Sequence, residues 1–300
     1  MSEKKTSKPK TIFEKPIWTY YEDRKKSINI LQELDVLEKV LQEIWFSCNI
    51  ISEIMNNRIL NSSTELFIST YFMRNITYLY SAYESARIGN TMPSYNLQRT
   101  VLETIIKGYV FVVDEDIADR CYITTASYLK QNDKYRDILI KKILQKNRLE
   151  PMFIQSSKKI LNNKIMDSDK IGLIRNINQY SKFKDNLDIL YINKLKDGWE
   201  KLYGQICKPA HPSVDGAMSD LLLNVNKTKE CIEVILILSY MNMFMFLEVF
   251  YNDATPVLKM IFKDQFKVIN ETLKQVPLFI PNIQVQNNKL NLKNEDYTMI

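Results

Sequence analysis

The segment CIEVILILSYMNMFMFLEVF, residues 231–250, is the most apolar stretch of this 300-residue chain and restricts the fold more than any other feature. Such a run is stable as a helix buried in a protein core or as a helix across a bilayer. Glu233, Asn242 and Glu248 interrupt it, and the charge-free part between the glutamates is shorter than the roughly 20 residues that a bilayer requires. We therefore predict a buried core helix over 226–252 and no membrane span.

A long amphipathic pattern nearer the N-terminus predicts another helix. Apolar residues recur there at steps of four and three, at Ile30, Leu34, Leu37, Leu41, Ile44, Cys48, Ile51 and Met55. The chain also has only 6 glycines, fewer than the turns of a Rossmann or P-loop protein of this length normally need. Both observations favour long helices, and we predict an all-α fold, a multi-helix bundle with a central apolar helix.

Capping signals place further helices. Ser62 followed by Glu65 fits a capping box before an aromatic-rich helix over 64–88, and Gly89 is a typical stop after it. Pro93 and Asp114 indicate the starts of the next two helices. Together with hydrophobic periodicity, these signals predict helices over 93–113, 115–131, 133–147, 186–207, 213–224 and 256–275.

The chain is predicted to form a single helical domain over residues 19–275. The Lys-rich residues 1–18 are predicted to be a disordered basic tail. Residues 150–185 are polar and weakly periodic, and we interpret them as short helices and loops that form an irregular or mobile insertion. In the C-terminal tail, 276–300, the alternating segment IQVQNNKLNL predicts a small β-hairpin around two asparagines.

Residue usage excludes several kinds of site. The four cysteines are far apart and there is one histidine, so the usual zinc-ligand spacings are absent from the sequence. It also lacks a G-x-S-x-G elbow and a Gly-rich phosphate loop, and we expect no metal and no cofactor. The polar N-terminus MSEKKTSKPK and the isolated cysteines predict a reducing, cytoplasmic location. The net charge of +6 permits nucleic-acid binding through the basic tail without requiring it.

A polar stripe runs along the aromatic helix and has two interpretations. It is formed by Thr70, Arg74, Thr77, Ser81 and Glu84 at steps of four and three. Either the stripe faces water, or it is a polar seam inside the bundle with Arg74 and Glu84 paired across helices. A buried seam would have to pair its charges, which would make it a candidate binding site.

The following helix carries QRTVLETIIKGYV, residues 98–110, in which Arg99 and Glu103 lie one turn apart. At about 100° per residue, the pair falls at one edge of the apolar arc, and we expect both side chains to be half-buried. Thr100, Thr104 and Lys107 are predicted to face solvent. The pair is either an ordinary edge salt bridge or part of a site.

The segment KPAHPS, residues 208–213, contains the only histidine of the chain, His211. Lys208 and His211 each precede a proline, which disfavours the helical conformation at both positions. We predict that the previous helix ends near Cys207 and that His211 sits in a stiff turn. Its imidazole either caps nearby carbonyls or serves as an acid or base, because it is the side chain here that ordinarily titrates near neutral pH.

Two segments of the sequence resemble a known family. SAYESARIGNTMPSYNLQRTVLETIIKGYVF, residues 81–111, resembles the central helix pair of a large family of microbial all-helical proteins without a settled activity. Members carry an Arg-x-x-x-Glu helix and a later helix with Trp and Tyr that ends in a His-Pro turn, as WEKLYGQICKPAHPS does here. The matching positions are Arg99, Glu103, Tyr203 and His211, and the resemblance covers about half the chain.

More remotely, a helical bundle with one histidine resembles the HEPN superfamily of small helical nucleases and their inactive relatives. Active members carry Arg, four to six residues, then His. This chain departs from that pattern, since Lys208 but no arginine lies in the six residues before His211 and prolines interrupt the helix.

Two functions follow as alternatives. The first is a helical interaction or binding module of unknown ligand, with a polar pocket around Arg99, Glu103 and His211. Its partner would be another protein, a second copy of the chain or a nucleic acid held by the tail. The further binding residues in this interpretation are Arg74, Glu84, Tyr203 and Lys208.

The alternative is a HEPN-like, metal-independent ribonuclease or toxin-type effector. Such an enzyme needs a base for the 2′-hydroxyl and a cation for the phosphate. His211 would supply the base, and Arg99 or Lys208 the cation, with Glu103 beside them.

Overall fold

The computed structural model describes residues 32–55, 60–129, 134–180, 182–192 and 225–251 as continuous segments. It further describes 202–204, 206–207, 255–257, 259–260, 263–264, 267, 283–286 and 289–292. The predicted basic tail, 1–18, and the predicted helix over 213–224 lie outside these residues.

The fold is all-α, as predicted, and its helices follow one another in short steps. The first four are α1 (Gln32–Met55), α2 (Ser63–Arg87), α3 (Thr91–Val113) and α4 (Glu115–Ala126). The next five are α5 (Lys134–Gln145), α6 (Pro151–Leu161), α7 (Asp167–Ile177), α8 (Phe183–Ile192) and α9 (Val225–Phe250), with a 3₁₀ turn at Asn178–Tyr180. The described residues of 202–207 and 256–267 are helical as well.

The predicted caps at Ser62 and Asp114 are present, whereas α3 begins at Thr91, two residues before the predicted start at Pro93. The Ser62 side chain accepts a hydrogen bond from Glu65 N at 3.1 Å, and the Glu65 carboxylate accepts one from Asn61 N at 2.7 Å. Asp114 accepts from two backbone N–H groups in the first turn of α4, at 3.0 and 3.2 Å. Gly89 ends α2 with φ of 75°, which a residue without Cβ adopts at no steric cost.

Helix α2 lies at the centre of the bundle and packs against α1, α3, α4 and α9. Trp45 of α1 lies with its ring centroid 5.5 Å from those of Tyr80 and Tyr83. On the α3 side, the rings of Phe67 and Phe111 are 4.9 Å apart. The aromatic helix therefore packs between α1 and α3 at the centre of the bundle.

Helix α9 packs against α1, α2 and α3 and completes the core. Phe72 in α2 contacts Phe246 near the end of α9, with centroids 4.6 Å apart. Gln98 near the start of α3 donates to the carbonyl of Cys231 near the start of α9, at 3.3 Å. The direction of α9 is thus antiparallel to α2 and parallel to α3.

The most apolar helix is a core helix. Among the described residues, Lys227–Phe250 is long and apolar enough to cross a bilayer, but 78% of its most apolar window is buried within the protein. Its polar Asn242 is buried too, and it accepts a hydrogen bond from Asn75 Nδ2 at 2.9 Å and donates one to the Phe72 carbonyl at 3.2 Å. Internal pairing of this kind offsets the desolvation of the amide, and the burial is consistent with the predicted absence of a membrane span.

Helix α4 connects the bundle to a second apolar cluster. Ile117 and Cys121 on α4 belong to the main core, whereas Tyr122 and Ile123 pack into the second cluster. That cluster also contains the buried side chains of Leu139, Ile140, Ile143, Leu149, Phe153, Ile160 and Leu173. The helices α5, α6 and α7 thereby form a layer beside the bundle.

Within residues 150–185, the structure describes α6, α7, the 3₁₀ turn and the first residues of α8, with turns between them. That this region is an insertion or mobile stays a prediction. The expected short helices are present, and they bury Phe153, Ile160 and Leu173 against neighbouring helices. A short helix needs only one or two apolar residues per turn to pack, so its sequence has weak periodicity even when the helix is ordered.

The C-terminal segment contains the predicted hairpin. Strands β1 (Ile283–Gln286) and β2 (Lys289–Leu292) pair antiparallel, with Ile283 opposite Leu292 and Gln286 opposite Lys289. The alternation of apolar and polar residues on either side of the two asparagines is thus the alternation of a strand pair.

We predict that Gly108→Ala destabilises the protein. A Cβ at this position of α3 would lie 2.1 Å from Met245 Sδ and 3.1 Å from Ile68 Cδ1. Overpacking of this kind costs about 1–3 kcal/mol, more than the roughly 0.5–1 kcal/mol that alanine gains over glycine within a helix. Urea unfolding of the variant measures the loss.

Gly172→Ala is the matched control, because a Cβ at Gly172 in α7 would meet nothing within 4 Å. It should raise the free energy of unfolding by about 0.5–1 kcal/mol. Equal behaviour of the two variants would contradict a tight contact between α3 and α9.

We also predict that Glu248→Gln changes the pH dependence of stability. Burial raises the pKa of the Glu248 carboxyl above its ordinary value, so the folded state holds this proton more tightly than the unfolded state. Wild-type stability is therefore lost as pH rises from the unfolded pKa through the raised folded pKa. The glutamine variant lacks this loss, and its unfolding midpoint relative to wild type should increase with pH. Parallel curves across this pH range would show that Glu248 is not responsible.

Candidate functional site

Arg99 and Glu103 form an ion pair at the edge of the buried face of α3, where the sequence placed them. Arg99 Nε donates to Glu103 Oε1 at 2.9 Å. The side chains are 37% and 40% exposed, so the pair is half-buried as expected. An exposed intrahelical pair of this type contributes little to stability, about 0.3–0.5 kcal/mol.

Tyr203 joins this pair from a distant part of the chain. Its helical neighbours Leu202 and Ile206 are buried in the main core, which positions the tyrosine beside α3. The Tyr203 hydroxyl donates to Glu103 Oε1 at 3.4 Å, and its ring centroid lies 5.7 Å from Arg99 Cζ. We call these three residues the Arg99–Glu103–Tyr203 cluster. They are three of the four positions on which the family resemblance depends.

The electrostatics of the cluster fix its protonation at neutral pH. Burial raises the pKa of Tyr203 to about 12, with a further increase from its hydrogen bond to Cys207, while Arg99 lowers it. The hydrogen bond to Glu103 raises the pKa of Arg99 above its usual range. Tyr203 is therefore a neutral hydroxyl and Arg99 a cation, and neither can act as a base near neutral pH.

The cluster leaves hydrogen-bonding groups for a ligand. Within the described residues, Arg99 uses only Nε and Glu103 only Oε1 in hydrogen bonds. Both side chains are partly exposed. A donor and an acceptor are thus side by side on one half-exposed helix edge.

Arg74 lies across α3 from the cluster. Its Nη2 donates to Thr104 Oγ1 at 2.7 Å, and its Cζ lies 5.3 and 5.8 Å from the ring centroids of Tyr71 and Tyr78. The prediction that Thr104 faces solvent is wrong, because α2 covers it and leaves 6% of it exposed. About 100° of rotation around α3 separates Thr104 from Glu103, so Arg74 and Tyr203 contact opposite edges of the exposed strip of α3.

The polar stripe on α2 faces solvent, which decides between its two interpretations. Thr70, Arg74, Thr77 and Ser81 are exposed, and Glu84 is half-exposed. Arg74 and Glu84 are separated by about 15 Å of helix axis, at 1.5 Å per residue, and they do not share a site.

His211 and Lys208 lie outside the described residues. The predicted proximity of His211 to Arg99 therefore stays a prediction. Within the residues that the structure describes, no group of three or more His, Cys, Asp or Glu side chains is arranged to hold a metal ion.

One polar cluster was missed in the sequence. Asp119 of α4 is 1% exposed, accepts a hydrogen bond from Ser63 Oγ and lies 3.1 Å from Lys146 Nζ, which also pairs with Glu115 at 2.6 Å. Burial outweighs these partners and raises the pKa of Asp119. The sequence did contain a signal for the burial of Asp119, because this residue lies three positions before Tyr122 on the buried face of α4. The cluster ties the start of α2 to α4 and to the end of α5.

Comparisons of this chain with protein-family models, with curated proteins and with solved structures find no match. The resemblance to the microbial helical family and the remote likeness to HEPN proteins are therefore still predictions.

We predict that exchanging the ion pair, Arg99→Glu/Glu103→Arg, leaves stability within about 0.5 kcal/mol of wild type. The pair is intrahelical and half-exposed, and glutamate before arginine at this spacing is the more favourable order. Thermal unfolding followed by circular dichroism measures the difference. A loss of several kcal/mol would indicate that the pair is a structural element of the core.

Proposed function

We propose that this protein is a helical binding module that engages its partner through the Arg99–Glu103–Tyr203 cluster. The observation that carries the proposal is a donor and an acceptor side by side on a half-exposed helix edge, neither used by any other described residue. A partner group with both a carbonyl and an N–H, such as an amide, can accept a hydrogen bond from Arg99 and donate one to Glu103 at the same time. Hydrogen bonds to charged groups contribute about 1.5–3 kcal/mol each, enough to fix orientation.

A protein partner fits this chemistry best, because amides are regularly spaced along any polypeptide. The acid–base state of the cluster also supports binding rather than chemistry. Tyr203, with a pKa of about 12, and Arg99, with its raised pKa, each keep their proton at neutral pH. A ribonuclease function would depend on His211.

The pair-exchanged variant, Arg99→Glu/Glu103→Arg, is the sharpest test. The variant keeps the ion pair but reverses which position donates and which accepts. A partner that hydrogen-bonds to both groups should therefore no longer bind, while the fold is retained. Affinity pull-down with quantified partners should show specific proteins depleted at least tenfold relative to wild type. Exposed Arg175→Glu on α7 is the control for a charge reversal elsewhere.

Three other arms complete the test. Wild-type recovery of every partner by the exchanged variant would overturn the proposal. Deletion of residues 1–18 should leave the set of partners unchanged if the cluster is the contact. Co-purification of two differently tagged copies of the protein would identify a second copy of the chain as the partner. Cleavage of RNA by wild type but not by His211→Ala would establish the ribonuclease alternative in place of a binding module without chemistry.

A further inference from the structure

A second group of side chains, which begins one helical turn after Glu103 on α3, carries cations held over aromatic rings. Arg74 Cζ lies 5.3 Å from the Tyr71 centroid, Tyr71 stacks with Phe111 at 6.0 Å and 22°, and Lys107 Nζ lies 5.8 Å from the Phe111 centroid. The four side chains form a continuous row across α2 and α3, which we call the Arg74–Lys107 row. Its two ends are positive and its middle is aromatic.

The arginine of this row is held in place without a carboxylate. Thr104 donates its own hydroxyl proton to the Thr100 carbonyl at 2.7 Å, so its lone pair is free to accept from Arg74 at 2.7 Å. A neutral acceptor and two tyrosine rings orient the guanidinium while its full charge is kept. Arg74 is exposed, and its guanidinium has N–H donors beyond the one that Thr104 accepts.

No carboxylate in the described part of the chain holds either cation of this row, Arg74 or Lys107, in an ion pair. By contrast, carboxylates pair with Arg87, Arg99, Arg120, Arg136 and Lys146. Two oriented cations without counter-charges attract an anion, and arginine in particular matches the oxygens of a phosphate.

The neighbours of the row favour a polymer in water over a lipid surface. The residues that share the exposed face of α2 with Arg74 include the hydroxyl side chains Thr70, Thr77 and Ser81. A membrane-binding helix presents large apolar residues beside its cations. The exposed Met73 and Tyr80 of α2 lie about 100–120° around the helix from Arg74, so they are not beside it. A flexible phosphodiester strand can cross two neighbouring helices with a phosphate at each cation. Its bases can stack on the exposed guanidinium of Arg74, because Tyr71 and Tyr78 are already covered by that arginine.

From this row we infer a binding surface for single-stranded nucleic acid, formed by Arg74 and Lys107 at the α2–α3 groove. Each cation neutralises one backbone phosphate, and Thr104 acts as a positioning residue for Arg74. This surface uses no residue of the Arg99–Glu103–Tyr203 cluster, although Lys107 lies one helical turn after Glu103. The variant at Arg74 and Lys107 therefore tests the inference without substituting a residue of the cluster.

The test is binding of a fluorescently labelled oligouridylate of about 16 nucleotides, followed by anisotropy between about 50 and 200 mM salt. Loss of two phosphate contacts in Arg74→Gln/Lys107→Gln should reduce the steepness of log K against log salt by about 1.4, since each single-strand contact contributes about 0.7. Loss of these two contacts should also weaken binding of the oligonucleotide about 25-fold near 0.1 M salt.

The matched control is Lys158→Gln/Arg175→Gln, which removes two positive charges from exposed positions on α6 and α7. It should retain the wild-type salt slope. Thr104→Val keeps both charges of the row but removes the acceptor for Arg74, so it should weaken binding several-fold with the slope unchanged. Thermal unfolding confirms that each variant is folded.

Several outcomes would overturn the inference. These are no binding of the oligonucleotide by wild type, an equal loss of affinity in the control variant, or a salt slope that the row variant does not change. Binding of duplex as tight as single strand would contradict the assignment to a single strand. Capture of anionic vesicles that depends on Arg74 and Lys107, without RNA binding, would assign the row to a membrane surface instead.

Discussion

The burial of one apolar helix, α9, is the constraint on which the rest of the structure depends. A helix that is apolar on nearly all sides has to be surrounded, and α1, α2 and α3 surround it. Gly108 allows α3 to approach because it has no side chain where Met245 lies. The Asn75–Asn242 hydrogen bond then favours one register, since sliding α9 along α2 would leave buried amides without partners.

This packing also decides where α3 meets solvent. Helices α2, α8 and α9 contact α3, and only a narrow strip of it is left exposed. One edge of the strip carries Arg99 and Glu103 beside Tyr203, and the other carries Thr104 beneath Arg74. Two groups of polar side chains therefore lie on one helix but face different neighbours, which is why they are proposed to bind different partners.

Much of the fold and part of the candidate site could be predicted from local signals. Caps such as Ser62 and Asp114 act within one turn, so a single sequence contains the interaction that they make. The half-buried position of Arg99 and Glu103 followed from helix geometry alone. The burial of Thr104 could not be predicted from helix geometry alone, because it depends on which side of α3 another helix covers. The surfaces of α4 and α5 against which α6 and α7 pack could not be predicted for the same reason.

The sequence by itself determined the all-α class, the helices and the edge of α3 that carries the ion pair. These features follow from periodicity and from contacts within a few residues of each other. Only the tertiary structure decided that Tyr203 reaches Glu103 across 100 positions of sequence and that Arg74 is oriented by Thr104 without a carboxylate. The physical reason is that such contacts depend on how helices pack, and the pattern of one helix specifies which face is buried but not which residue of another helix lies against it.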